Sequence, residues 1–363
     1  MRVVVSALQA GGTGAGVSRY QAQVAAAIRR LRPQGVRLLL PNDFPTLPDG
    51  GSALTESGWL THISVPRTSY SRVLTELRVW NRLASTDSAL LSLDLATGGR
   101  WGKVIAVVHD LSFEANPSWY TGGQRWWKRN RVRALVRHAN AVACVSEFVA
   151  GDLLNRHPQL TGRVITVRSV IPRLPPPTES QLAEVRRAMG RHQWNLLLVG
   201  TLTPQKFPEQ FFDALQHLSS AGQDVHGWVI GRRGWRAGAI IKRLRQEMAA
   251  GRASWMESVP DTELEARYRC ADLVVHCSLY EGFGFVPGEA CFTGARVLCR
   301  RLPSVVEYLG SAVEYFDTRS GVDLGEEIRS LLQNSSLPAS YIRPDLNRSW
   351  LDVATDLLQI ASK

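Results

Sequence analysis

The stretch DLVVHCSLYEGFGFVPGEACF, residues Asp272–Phe292, decides the fold. Asp272–His276 is an apolar run of strand length, and Val286–Phe292 reads as a helix stopped by Gly294. Between them lies the glycine turn Gly282–Gly284, flanked by two carboxylates, Glu281 and Glu289. A strand–glycine turn–helix unit leaves backbone N–H groups unpaired at the helix start. The helix dipole favours an anion there. Glu281 ends the strand side of the turn, and Glu289 on the helix can accept from sugar hydroxyls beside such an anion. The plainer reading is a capped, solvated helix start; the strand before it weighs against that.

Working outward, apolar runs alternate with helical patterns almost throughout. Strands are predicted at Arg2–Ser6, Val36–Leu40, Ala89–Leu93, Val104–Val108, Ala141–Val145 and Val164–Val167. The series restarts at Asn195–Val199, followed by Gly227–Ile230, Ser254–Met256, Leu273–His276, Val297–Cys299 and Val313–Phe316. Continuous Val/Leu/Ile strands separated by helices indicate parallel sheets covered on both faces. At 363 residues the chain exceeds one hydrophobic core. The reading is α/β, with two doubly wound Rossmann-like domains facing across a cleft. Residues 1–175 form the first and 190–345 the second, and the proline-rich run Ile171–Thr178 joins them. Residues 346–363 form an amphipathic helix expected to pack back on the first domain.

Composition bounds the function classes. Hydrophobic residues make up 44% and charged residues 21%, an ordinary globular balance. No run of eighteen apolar residues exists, so no spanning helix is expected. The five cysteines, Cys144, Cys270, Cys277, Cys291 and Cys299, show no paired metal spacing and read as reduced core residues of a cytoplasmic protein. A net charge of +11 favours anionic partners.

Ligands of open α/β sheets sit at the carboxyl ends of the strands. The residues falling there include His109 and Asp110, Ser146, Gly200–Lys206, Gly231–Arg233 and Glu281–Gly284. Asp110 either orients His109 or caps the next turn, and Ser146 fits a helix cap. The first glycine loop, with Gly12, Gly14 and Gly16, is not G-x-G-x-x-G, which disfavours a dinucleotide oxidoreductase. It is a phosphate or acceptor cradle or a plain flexible turn; close backbone approach favours the cradle. Gln124–His138 sets Arg125, Lys128, Arg129, Arg131, Arg133 and Arg137 beside Trp126 and Trp127. That mixture suits an anionic membrane surface. The competing reading is a solvated basic face with its tryptophans packed inward. No nucleic-acid motif accompanies the cluster.

Several stretches carry a resemblance: VHDLSFEANPSWY (Val108–Tyr120), VACVSEF (Val142–Phe148), VGTLTPQKFPE (Val199–Glu209), VIGRRGW (Val229–Trp235), Val259–Ala290 and RLPSVVEYLGSAVEYFD (Arg301–Asp317). Together they resemble the retaining glycosyltransferases of GT-B architecture that include bacterial mannosyltransferases. The resemblance implies donor binding by the second domain. Lys206 then meets the donor diphosphate with Arg232 beside it, and Glu289 holds the ribose hydroxyls. Glu281 lies near the donor sugar, Gly200, Thr201, Gly282, Phe283 and Gly284 line the donor, and His109 stands near the transferred sugar. Two departures stand out. Gln205 occupies a position where such enzymes often carry arginine, so Arg232 or Arg233 compensates or the diphosphate is held less strongly. His276-Cys277 replaces a common aromatic–proline pair, a change expected to alter packing rather than chemistry.

The activity so implied is retaining transfer of a hexose from a nucleotide diphosphate sugar, with GDP-mannose favoured. The sugar nucleotide is a co-substrate, and no other cofactor is expected. The acceptor is a hydroxyl of a glycan or lipid-linked sugar. With no D-x-D sequence, no metal site is expected, and fixed cations and helix N–H groups stabilise the leaving group. The location implied is cytoplasmic, peripheral at the inner membrane face. The alternatives are an epimerase or phosphorylase of the same fold, or a non-catalytic nucleotide-sugar-binding subunit.

Overall fold

A computed structural model describes residues 2–10, 16–31, 33–42, 60–63, 69–95, 100–190, 192–334 and 348–363. The chain divides into two compact units. One comprises Met1–Glu114, Gly122–Val170 and Asn347–Lys363, the other Ala115–Thr121 with Ile171–Leu346.

The first unit holds β1 (Arg2–Ser6), β2 (Val36–Pro41), β3 (Leu60–Ile63), β4 (Ser88–Ser92), β5 (Lys103–Val108), β6 (Ala141–Cys144) and β7 (Val164–Thr166). They form a parallel sheet in the order β3-β2-β1-β4-β5-β6-β7. β3 was not predicted. It is an edge strand of four residues, Leu60-Thr-His-Ile, too polar for the apolar-run signal. The helix Trp350–Ser362 opens with a capping box from Ser349 and belongs to this unit. Its Trp350 ring meets Tyr20 edge-on at 5.5 Å, and the Ile360 carbonyl accepts from Lys103 Nζ at 2.7 Å.

The second unit holds β8 (Trp194–Val199), β9 (Val225–Ile230), β10 (Ala253–Met256), β11 (Leu273–His276), β12 (Val297–Arg300) and β13 (Glu314–Phe316). The order is β10-β9-β8-β11-β12-β13, all parallel. Side chains alternate in period two between two cores. Leu196, Leu198, Leu273, Val275 and Leu298 enter one, and Leu197, Val274, Val297 and Cys299 the other. Both faces are therefore buried, and each fully buried leucine or valine stabilises the sheet by about 1.5–3 kcal/mol. The chain leaves β8 on one side for β9 and on the other for β11, so strand order reverses between β8 and β11. That switch point is where such sheets open a crevice beyond their carboxyl ends.

Ala115–Thr121 groups with the second unit although the sequence places it within the first domain. The reason is local: the Tyr120 ring stacks on Trp235 at 5.4 Å, and its hydroxyl bonds Gln205 at 3.1 Å.

Candidate functional site

Three loops at the carboxyl ends of β8, β9 and β11 carry the residues singled out by sequence. The β8 and β9 loops are zipped together. Gly200 N–H donates to the Ile230 carbonyl, Leu202 N–H to the Arg232 carbonyl and Gly234 N–H to the Leu202 carbonyl, at 2.9, 2.9 and 3.0 Å. Only glycine fits at Gly231, since a Cβ there would lie 1.9 Å from the Gly200 carbonyl oxygen. This contact sets the half-buried Arg232 beside Gly200 and Thr201. A one-turn 3-10 helix, Pro204–Lys206, follows, and Phe207 at φ 46° reverses the chain into the helix Pro208–Ser220.

Lys206 ends that turn, and its ammonium pairs with the carboxylate of Glu281 from the β11 loop. His276, the last residue of β11, donates from Nε2 to the same carboxylate oxygen at 3.1 Å. Burial alone would raise the Glu281 carboxyl, but Lys206 and His276 outweigh it and hold it below the usual carboxylate range. Burial pushes His276 below its ordinary value, so at neutral pH it is an uncharged hydrogen-bond donor. The expectation that His276 alters only packing is thus corrected, because it is the second anchor of Glu281. Sequence reading passed over it because its partner lies five residues on, past a loop of unknown course.

Beyond Glu281 the chain is fixed by the helix Pro303–Leu309, seven residues and too short to show a period in sequence. Ser304 Oγ donates to the Glu281 carbonyl at 2.7 Å, and the Tyr308 hydroxyl donates to the Gly284 carbonyl. Phe283 stacks on Tyr308 with centroids 4.4 Å apart. Gly284, at φ 91°, is the left-handed residue from which the helix Phe285–Phe292 starts, a conformation costly for any side chain. Glu289 is buried on that helix. Arg300 braces the loop from behind, donating to the carbonyls of Cys277 at 3.2 Å and Thr318 at 2.9 Å.

Gln205 is buried and turned into the protein, toward Tyr120 and the Tyr280 carbonyl. Its amide therefore does not replace the arginine's charge.

In the first unit His109 ends β5, and its Nε2 donates to the Leu93 carbonyl at 2.9 Å. In the neutral ring this leaves Nδ1 as an acceptor. Tyr20 packs edge-on against the imidazole at 4.7 Å. Asp110 caps the next turn, accepting from the Ser112 N–H at 3.1 Å and from its hydroxyl at 2.6 Å. Ser146 caps the helix Glu147–Arg156 through the Val149 N–H. A polar group the sequence did not flag sits beside His109. Asp94 accepts from Gln9 Nε2 at 2.6 Å and lies 3.5 Å from Arg131, which also meets the buried Glu76 at 3.7 Å. Gly12 and Gly14 lie outside the described residues, and Gly16 is the exposed first residue of the helix Gly16–Leu31.

The basic segment is the helix Gly122–His138. Arg131 turns inward, and the Lys128 ammonium lies 5.0 Å over the Phe113 ring. Arg125, Arg129, Arg133 and Arg137 stay exposed. Trp127 is half-buried under the Arg131 guanidinium, but Trp126 is 67% exposed. The reading in which both tryptophans pack inward fails at Trp126. Among the described residues no three His, Cys, Asp or Glu side chains are grouped to hold a metal, and no helix is long and apolar enough to cross a membrane.

Comparisons with known proteins agree with this architecture. The sequence profile of the family "Glycosyl transferases group 1" matches residues 186–344, which cover the second-unit loops described above. The serotype-specific mannosyltransferase WbdA of Escherichia coli is 25% identical over 263 residues, covering 68% of this chain and 31% of WbdA. The O-antigen chain mannosyltransferase B of Escherichia coli is 24% identical over 65% of this chain and 63% of its own length. The chain thus spans about a third of one relative and under two thirds of the other. Among solved structures, Anabaena HepE in complex with UDP-glucose superposes with a TM-score of 0.69 at 14% identity, covering 100% of this chain and 97% of HepE. WaaG, a glycosyltransferase involved in lipopolysaccharide biosynthesis, gives 0.67 at 16% identity, covering 99% and 96%. At these identities the structural likeness establishes the fold, two parallel α/β sheets of GT-B type.

Proposed function

We propose, from the match of residues 186–344 to the glycosyl transferases group 1 family, that the chain moves a hexose from a nucleotide diphosphate sugar to an acceptor hydroxyl, with retention at the anomeric carbon. The observation that carries this is the Lys206–Glu281–His276 arrangement at the β8/β11 switch point. A cation and a hydrogen-bonding carboxylate are already fixed there, beside the start of the helix Phe285–Phe292, where the helix dipole favours an anion. A sugar diphosphate needs both: positive charge for the leaving group and an acceptor for sugar hydroxyls.

In this reading Lys206, Arg232 and the backbone around Gly200, Thr201, Gly282, Phe283 and Gly284 receive the donor. Glu281 faces the sugar, and Glu289 holds the ribose. The acceptor oxygen attacks the face from which the diphosphate departs, and its proton passes to the leaving phosphate oxygen. The protein positions both substrates and stabilises departing charge; no metal enters the scheme. His109, with Nδ1 available, stands near the transferred sugar, and the loop of Gly12, Gly14 and Gly16 serves the acceptor or a phosphate.

GDP-mannose is the favoured donor because both Escherichia coli relatives are mannosyltransferases. UDP-sugars follow. The acceptor is a glycan or lipid-linked sugar. The exposed stripe of Trp126, Arg129, Arg133 and Arg137 supports docking on an anionic membrane surface.

A thermal-shift screen of GDP-, UDP-, ADP- and dTDP-sugars tests the donor. At a hundredfold excess over Kd the true donor stabilises by about 2.7 kcal/mol. Nucleotide release that depends on added acceptor separates transfer from epimerisation. Absence of stabilisation by every sugar nucleotide refutes the proposal.

A further inference from the structure

Gln205 lies on the loop that carries Lys206 and faces the loop that carries Glu281, and three of its polar atoms are hydrogen-bonded there. Its carbonyl accepts from the Leu279 N–H at 2.9 Å. Its side-chain Nε2 donates to the Tyr280 carbonyl at 2.9 Å, and its Oε1 accepts from the Tyr120 hydroxyl at 3.1 Å. Lys206 follows Gln205 directly, and Glu281 follows Tyr280 directly. The first two bonds therefore fix the distance between the two loops one residue away from the charged pair, and the third holds the amide in place from Tyr120. Gln205 is 7% exposed and Tyr120 2% exposed, so water does not substitute for either bond.

We propose that Gln205 is a positioning residue for Lys206 and Glu281, and that Tyr120 completes it as a strap from a distant part of the chain. The proposal rests on the glycosyl-transfer reading for its kinetic consequence but not for its geometry. The neutral amide supplies both the acceptor and the donor that these bonds use. An arginine reaches the same two partners only as a donor, with the Tyr120 hydroxyl turned to accept. A carboxylate has no donor for the Tyr280 carbonyl and sets lone pair against lone pair. Gln205 therefore joins the two loops through a neutral side chain, without placing a second cation beside Lys206.

The test uses the full chain with Q205M, Y120F, their combination and Q205E. The first readout is reductive methylation of Lys206, followed by peptide mass spectrometry with the exposed Lys242 as internal reference. The second is kcat and donor KM per folded molecule. In Q205M, Lys206 is methylated several-fold faster with Lys242 unchanged. Its kcat falls about ten- to a hundredfold, and donor KM stays within about twofold. Y120F moves both readouts the same way, and the double variant goes no further than Q205M. Q205E regains kcat relative to wild type as pH falls, because burial at this position raises its carboxyl and the protonated form both donates and accepts. Wild-type labelling and kcat in Q205M overturn the proposal. So do additive effects in the double variant, or a loss confined to melting temperature. If no nucleotide sugar is turned over by the wild type, the transfer reading fails while methylation still decides the strap.

Discussion

Replacing Lys206 by methionine removes one end of the ion pair and keeps most of the side chain's bulk. Glu281 is then left buried with His276 as its charge-stabilising partner. Breaking a fully buried pair costs about 3–5 kcal/mol. Lys206 is 26% exposed and Glu281 10%, so solvent screens part of the lost attraction. The expected cost is about 2 kcal/mol, roughly thirtyfold in the folding constant. The sign with pH follows from Glu281, whose folded-state carboxyl lies below its ordinary value. Such a group stabilises the fold above its unfolded pKa of about 4.3, and that stability is lost as pH falls through the folded value. Removing Lys206 lifts Glu281 toward ordinary values. The stability gap between wild type and K206M is therefore full at pH 7 and closes below about pH 4. Urea unfolding followed by tryptophan fluorescence at several pH values measures it. Adding E281Q to K206M restores most of the loss, since no charge is left stranded. A gap that persists unchanged into acid, or a double variant no better than K206M, refutes the reasoning.

Other outcomes follow from the same geometry. Glu289→Ala raises donor KM and Lys206→Ala mainly lowers kcat, each by about 2–4 kcal/mol of transition-state or donor stabilisation; wild-type kinetics under limiting donor count against the assignment. Gly231→Ala forces a methyl to within 1.9 Å of the Gly200 carbonyl oxygen, so unfolding shows the second unit destabilised. Overpacking of this kind costs about 1–3 kcal/mol. Wild type floats with anionic vesicles, whereas a variant with Trp126, Arg129 and Arg133 replaced by alanine stays with the soluble fraction. Each basic residue near such a surface contributes about 1 kcal/mol, so equal recovery of the two removes the membrane reading.

The sheets were legible because buried parallel strands are written as unbroken apolar runs, Leu196–Val199 and Leu273–Val275 among them. β3 escaped because an edge strand needs no second apolar face, and Pro303–Leu309 because seven residues hold too few turns for a pattern. The site was half legible. Lys206 and Glu281 were found separately, from strand-end position and spacing, but their pairing depends on β8 and β11 being neighbours, which no local pattern records. In sequence His276 looks like a packing variant and Gln205 like a missing charge, because the partners that define their chemistry lie beyond any local pattern. Asp94 and its pairing with Arg131 stayed hidden because 37 positions separate the two residues.

The interleaving of the two units bears on how such proteins exchange parts. The proline-rich linker at Ile171–Thr178 looks like a natural seam for recombination between relatives. Yet a chimaera joined there takes Gln205 from one parent and Tyr120 from the other, and it parts Trp350 from Tyr20. Hybrids that keep each unit whole need four crossovers rather than one, which leaves the second unit less freely portable than its continuous sheet suggests.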